Sequence, residues 1–178
     1  MDKGTITEYF SAEKIQQRVR ELAEQISNEY QDLKEPLVLI GVLKGSVIFL
    51  ADLCRHMTIP VELDFIGVSS YGMETKSSGV VQITQDLSRP IHDRHVLLVE
   101  DIVDTGLTAQ YLFENFESRK PASMRLCTFL HKPAKSKIDA ELVHFVGFAI
   151  EDEFVIGYGM DLAEKYRNLP YLGVFSKN

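Results

Sequence analysis

Glu100, Asp101 and Asp104 fall within five positions of one another, directly after the apolar run Val96-Leu97-Leu98-Val99. Three carboxylates so close repel one another unless something positive joins them. Thr105, Gly106, Leu107 and Thr108 come next and lead into a stretch with helical spacing. Gly106 permits a tight turn, and the free N–H groups of a helix N-terminus cradle anions. The two threonine hydroxyls add donors for phosphate oxygens. One short turn thus sets phosphate donors beside carboxylates, a combination suited to a phosphorylated sugar that carries hydroxyls and a metal. An acidic β–α turn with a threonine cap is the plain structural alternative for the same residues.

Other phosphate and metal patterns are missing. In Gly41-Val42-Leu43-Lys44-Gly45-Ser46 the lysine precedes its glycine, so no G-x-x-x-x-G-K-[ST] loop exists, and Gly157-Tyr158-Gly159 lacks the third glycine of a dinucleotide fingerprint. No CxxC, HExxH or calcium-loop spacing occurs, and the five histidines are scattered, so none is read as a ligand.

The elements that must position the acidic turn follow from periodicity. Ser11 is placed to cap a helix over residues 11–30, in which Ile15, Val19, Leu22, Ile26 and Tyr30 recur at steps of three and four. Buried strands are expected at 37–41 and 96–99, further strands at 61–67, 80–83, 123–130 and 142–150, and further helices at 46–57 and 107–118. Residues 69–79, with four serines and two glycines, read as a loop between two strands. Strands alternating with amphipathic helices predict an α/β domain with a mainly parallel sheet. In such sheets ligands bind beyond the carboxyl ends of the strands.

The string 96–108, VLLVEDIVDTGLT, resembles the phosphoribosyl pyrophosphate (PRPP) signature of the type I phosphoribosyltransferases. Four further segments, spread over residues 37–175, resemble the hypoxanthine (6-oxopurine) branch of that family and follow its order. The resemblance implies a central, mainly parallel sheet flanked by helices. A core over about 11–130, a small hood from the N-terminal segment and about 131–178, and a mobile lid loop at 69–79 complete the expected fold. It implies that Glu100 and Asp101 hold the ribose hydroxyls, partly through a metal, while Thr105, Gly106, Leu107 and Thr108 cradle the 5′-phosphate, Leu107 through its backbone alone. Lys44 and Gly45, after a Leu43–Lys44 bond that can be cis, would bind pyrophosphate together with Arg167. Family members often carry a second glycine where Ser46 stands. Ser70 and Tyr71 would sit on the lid that keeps water from an oxocarbenium-like sugar. Lys132 would donate to the exocyclic oxygen of the purine, which favours an oxo group over an amino group. Phe154 would stack on the base, Val155 would read its edge through the backbone, and Asp161 would join Glu100 and Asp101 around Mg²⁺. Asp104 is the expected general base, its pKa raised by Glu100, Asp101 and partial burial.

The remaining expectations are broad. The formal charge of −7 disfavours nucleic-acid and anionic-membrane partners without excluding a small anionic substrate. Cys54 and Cys127 are expected to be buried free thiols in a reducing cytoplasm. The family resemblance implies a homodimer or homotetramer with PRPP and a 6-oxopurine as substrates. A xanthine–guanine or other phosphoribosyltransferase, or an RNA-binding regulator on the same fold, are the alternative readings.

Overall fold

The computed structural model describes residues 4–70 and 81–177. Among these, α1 (Ala12–Glu29) starts at Ser11, whose hydroxyl accepts from the Lys14 N–H at 3.3 Å. Its stripe of Ile15, Val19, Leu22 and Ile26 is fully buried, as the spacing requires. The chain then builds β2 (Leu37–Leu43), α2 (Val47–His56), β3 (Val61–Ser70), β4 (Val81–Gln85), β5 (His95–Val103), α3 (Leu107–Glu117), β6 (Ser123–His131) and β7 (Val143–Ala149). These strands form a sheet in the order β4-β3-β2-β5-β6-β7, parallel throughout except for the edge strand β4.

The central strands are apolar on both faces because both faces are covered. Leu37, Leu39, Leu97 and Val99 pack with α1 and α2, whereas Val38, Ile40, Val96 and Leu98 pack with α3. The chain leaves β2 toward β3 on one side and leaves β5 toward β6 on the other. The gap between the ends of β2 and β5 is therefore the switch point at which such sheets bind ligands.

A second sheet of β1 (Gly4–Phe10), β9 (Leu172–Lys177) and β8 (Val155–Ile156) lies over that end. Phe129 joins the two parts: its ring lies 5.4 Å from Phe49 on α2 and 4.9 Å from Tyr158 just after β8. The Tyr158 hydroxyl donates to Asp52 of α2 at 2.8 Å.

Four expectations need correction. The strand expected to stop at Val99 continues to Val103, because Glu100, Ile102 and Val103 pair with Thr128, Leu130 and His131 of β6. The main sheet also extends past residue 130 to include β7, so the hood does not begin at 131. Ser69 and Ser70 end β3, paired with Gln82 and Val81, rather than opening a loop. Tyr71 and the rest of the expected lid lie outside the described residues. Cys127 is buried and Cys54 only partly so, and both are free.

Candidate active site

The turn after β5 leads through Gly106 into α3. Gly106 has φ +83° and is the N-cap of α3, and a Cβ there would come within 2.7 Å of the Ile138 side chain. Only glycine meets both demands. The N-cap Gly106 has no side chain to cap this helix end, and the Leu107 N–H makes only a long 3.5 Å bond to the Thr105 hydroxyl, so the first turn can turn its N–H groups to a phosphate. The backbone of the next loop braces the turn, with the Lys137 N–H donating to the Thr105 carbonyl at 2.9 Å.

Extension of β5 puts Glu100 and Asp101 inside the strand, where successive side chains point to opposite faces. Glu100 is buried, and its Oε1 has no hydrogen-bond partner. Burial, and then the neighbouring Asp101, push its carboxyl up to about 8. Asp101 is also raised, chiefly by burial, and its Oδ1 accepts from the Ile102 N–H at 2.9 Å. A Cβ on Gly45 would fall 1.6 Å from Asp101 Oδ2, so a glycine is needed for the β2 and β5 ends to approach this closely. The Leu43–Lys44 bond is cis, and Ser46 is fully buried with its hydroxyl donating to the Val42 carbonyl at 2.7 Å. The serine in place of a family glycine thus ties back to the end of β2 and does not line the cavity.

Two cavities adjoin at Asp101, Ile102 and Asp161, which line both. One, of about 220 Å³, is walled by Asp104, Lys132, Phe154, Val155 and Met160. The other, of about 310 Å³, is walled by Lys44, Gly45, Glu100, Thr108 and Arg167. The structure therefore sorts the predicted purine residues into one compartment and the predicted pyrophosphate residues into the next. Phe154 presents an exposed ring, held edge-on to Phe175 at 6.4 Å, while Val155 is buried in β8. Leu107 is exposed at the start of α3, consistent with a backbone role.

The surroundings of Asp104 differ from expectation. Its charged neighbours are Lys135 at 3.5 Å and Lys132 at 3.8 Å, not Glu100 and Asp101. Lys132 is buried, and its ammonium also pairs with Asp152 at 3.1 Å, while Lys135 pairs with Asp152 at 2.9 Å. Two lysines and two aspartates thus form a closed charge box, of which Lys132 and Asp104 line the first cavity. Sequence reasoning missed Lys135 and Asp152. The only signal was their closeness to Lys132 and Phe154 along the chain.

In the second cavity Arg167 is fixed by a 2.8 Å bond to the Gly159 carbonyl and a 2.8 Å pair with Asp161. Glu164, also missed, lies between Arg167 and Lys44. Among the described residues no three His, Cys, Asp or Glu side chains gather closely enough to hold a metal ion alone. The expected trio of Glu100, Asp101 and Asp161 lines one cavity without forming a closed cage. The chemistry still suits Mg²⁺, which favours oxygen donors and usually takes one or two carboxylates plus substrate phosphates. The unpartnered Glu100 Oε1 is such a donor.

A family model described as the phosphoribosyl transferase domain matches residues 5–163. Bacillus subtilis hypoxanthine-guanine phosphoribosyltransferase is 51% identical over 164 residues, covering 92% of this chain and 89% of its own. This chain belongs to the hypoxanthine-guanine phosphoribosyltransferase family. Solved structures of phosphoribosyltransferases agree. The Bacillus anthracis hypoxanthine-guanine phosphoribosyltransferase superposes with a TM-score of 0.88 at 44% identity, over 96% of this chain and 99% of that one. Trypanosoma cruzi hypoxanthine phosphoribosyltransferase, solved with its product IMP, gives 0.87 at 40% identity, over 98% and 95%. The likeness spans both sheets, so the type I phosphoribosyltransferase fold expected from the 96–108 string is the fold found.

Proposed function

We propose that this protein transfers the 5-phosphoribosyl group from PRPP to N9 of hypoxanthine, and of guanine, giving IMP or GMP and pyrophosphate. The observation that carries the reading is the pair of adjoining cavities. A buried lysine and an exposed phenylalanine face one, two cations from distant segments face the other, and carboxylates stand between them.

In this reading the purine enters the first cavity and stacks on Phe154, with its oxo group toward Lys132 and its edge along the Val155 backbone. Thr105 to Thr108 hold the 5′-phosphate through N–H groups and hydroxyls. Glu100 and Asp101 accept hydrogen bonds from the ribose 2′- and 3′-hydroxyls. Pyrophosphate rests against Lys44, Gly45 and Arg167, which share its charge as the bond from C1 breaks. The ribose C1 then lies where the cavities meet, N9 of the purine bonds to it, and Asp104 takes the proton leaving N7. Mg²⁺, held through Glu100, Asp101, Asp161 or their waters, would further neutralise the departing diphosphate.

A reducing cytoplasm suits the two free thiols, and no helix among the described residues is long and apolar enough to cross a membrane. A homodimer or homotetramer belongs to the same reading, and Val47, exposed beside Gly45 and Ser46, is a natural contact for it. The test is product formation: the protein with PRPP, hypoxanthine and Mg²⁺, followed by chromatography for IMP. IMP should accumulate one for one with pyrophosphate and stop on adding chelator. No IMP from folded protein would overturn the proposal.

A further inference from the structure

Glu164 stands between the two cations to which the proposed reaction assigns pyrophosphate. Its Oε2 lies 3.1 Å from Lys44 Nζ and 3.5 Å from Arg167 Nη2. Lys44 follows β2 and Arg167 follows β8 far along the chain, so this one oxygen bridges cations that the fold brings together from distant segments. The Lys44 hydrogen bond above all, with the charges of Lys44 and Arg167, holds the Glu164 carboxyl below the usual range. The backbone sustains the arrangement. Ala163 and Glu164 both take positive φ, 51° and 64°, a region that side chains with a Cβ disfavour. The Glu164 N–H donates to Asp161 Oδ2 at 2.7 Å, which ties this turn to the cavity wall. Asp161 itself shares Arg167 Nη2 at 2.8 Å.

We infer that Glu164 is an internal surrogate for the diphosphate: it pairs with Lys44 and Arg167 and competes for them with PRPP and pyrophosphate. The inference rests on the proposed assignment of those two cations. The competition is mild by design of the geometry, since the Lys44 and Glu164 side chains are 66% and 67% exposed and exposed pairs are weak. A diphosphate offers more charge and more oxygens than one carboxylate, so it displaces Glu164. A site closed for part of the time lowers apparent affinity by the fraction that is open. On the way out, the carboxylate returning to the cations helps pyrophosphate leave.

The decisive comparison is between wild type, Glu164→Gln and Glu164→Asp, with inorganic pyrophosphate titrated calorimetrically in Mg²⁺ buffer. PRPP and hypoxanthine KM values are measured in parallel. Glu164→Gln should bind pyrophosphate about three- to tenfold more tightly. Its PRPP KM should fall by a similar factor with the hypoxanthine KM unchanged, a split that a merely structural role would not give. Glu164→Asp, charged but one methylene short, should lie between, and high salt should narrow the differences. Unchanged or weaker pyrophosphate binding by folded Glu164→Gln would overturn the surrogate role while leaving the reaction intact. A wild type that neither binds pyrophosphate nor turns over a purine would overturn the assignment of the cavity itself, and the surrogate with it.

Discussion

Asp104 sits against two ammonium groups and opens onto the cavity that also holds Lys132 and Phe154. A carboxylate there can take a proton from the purine while Lys132 and Lys135 keep it oriented. Asp104→Asn keeps the shape and removes the base, so turnover should fall by about 10²–10⁴-fold with the PRPP KM little changed. Steady-state kinetics checks this, and near-normal turnover would remove Asp104 from the role. The acid crowding expected at Asp104 acts at Glu100 instead. That was not legible, because the side of the sheet on which each acid falls depends on β5 outrunning its apolar stretch by pairing with β6. The shift has a consequence for stability. The Glu100 carboxyl ordinarily titrates near 4.5 and in the folded protein near 8. The native state therefore holds an extra proton between those values, and stability is complete below about 4.5 and declines as pH rises through 8. In metal-free protein, Glu100→Gln should flatten that decline. Its advantage over wild type by urea denaturation should grow between pH 5 and pH 9, and a gap independent of pH would contradict the buried carboxyl.

The elements that carry the site were legible wherever the pattern was local. The α1 stripe, the apolar stretches 37–41 of β2 and 96–99 of β5 and the turn at Gly106 follow from spacing and glycine chemistry. β1, β8 and β9 were not read. β8 has only two residues, and β1 exposes most of its length, so neither shows a buried period, although Thr5-Ile6-Thr7 offered a β-branched hint. The turns over 158–166 were equally hidden, since Tyr158, Ala163, Glu164 and Tyr166 take positive φ without the glycine or asparagine that signals it. Gly106 tests the reading of the elements. Gly106→Ala meets a left-handed backbone costing about 1–2 kcal/mol, plus the Ile138 contact. The protein should lose at least that much stability in denaturant titration, and PRPP binding should weaken more than purine binding. An alanine variant with wild-type stability and PRPP KM would show that the turn does not need its glycine.

At the scale of the molecule, two sheets meet over the switch point of the larger one, and the compartments lie between them. The sequence made the fold class plain, because each strand–helix alternation was visible and the 96–108 string named one place for chemistry. Left hidden were the charge box and Glu164, which depend on residues that only the folded chain brings together, such as Lys44 with Glu164 and Asp104 with Asp152 through Lys135. Lys132 as the donor that reads an oxo group, beside Asp104 as base, is tested most directly by the ratio of kcat/KM for hypoxanthine to that for adenine, with PRPP and Mg²⁺ fixed. An amino group would face the Lys132 ammonium donor to donor, and a site built around one hydrogen bond rejects such analogues strongly. That ratio should be at least about 10³. Comparable turnover of adenine, or none of either base, would contradict it.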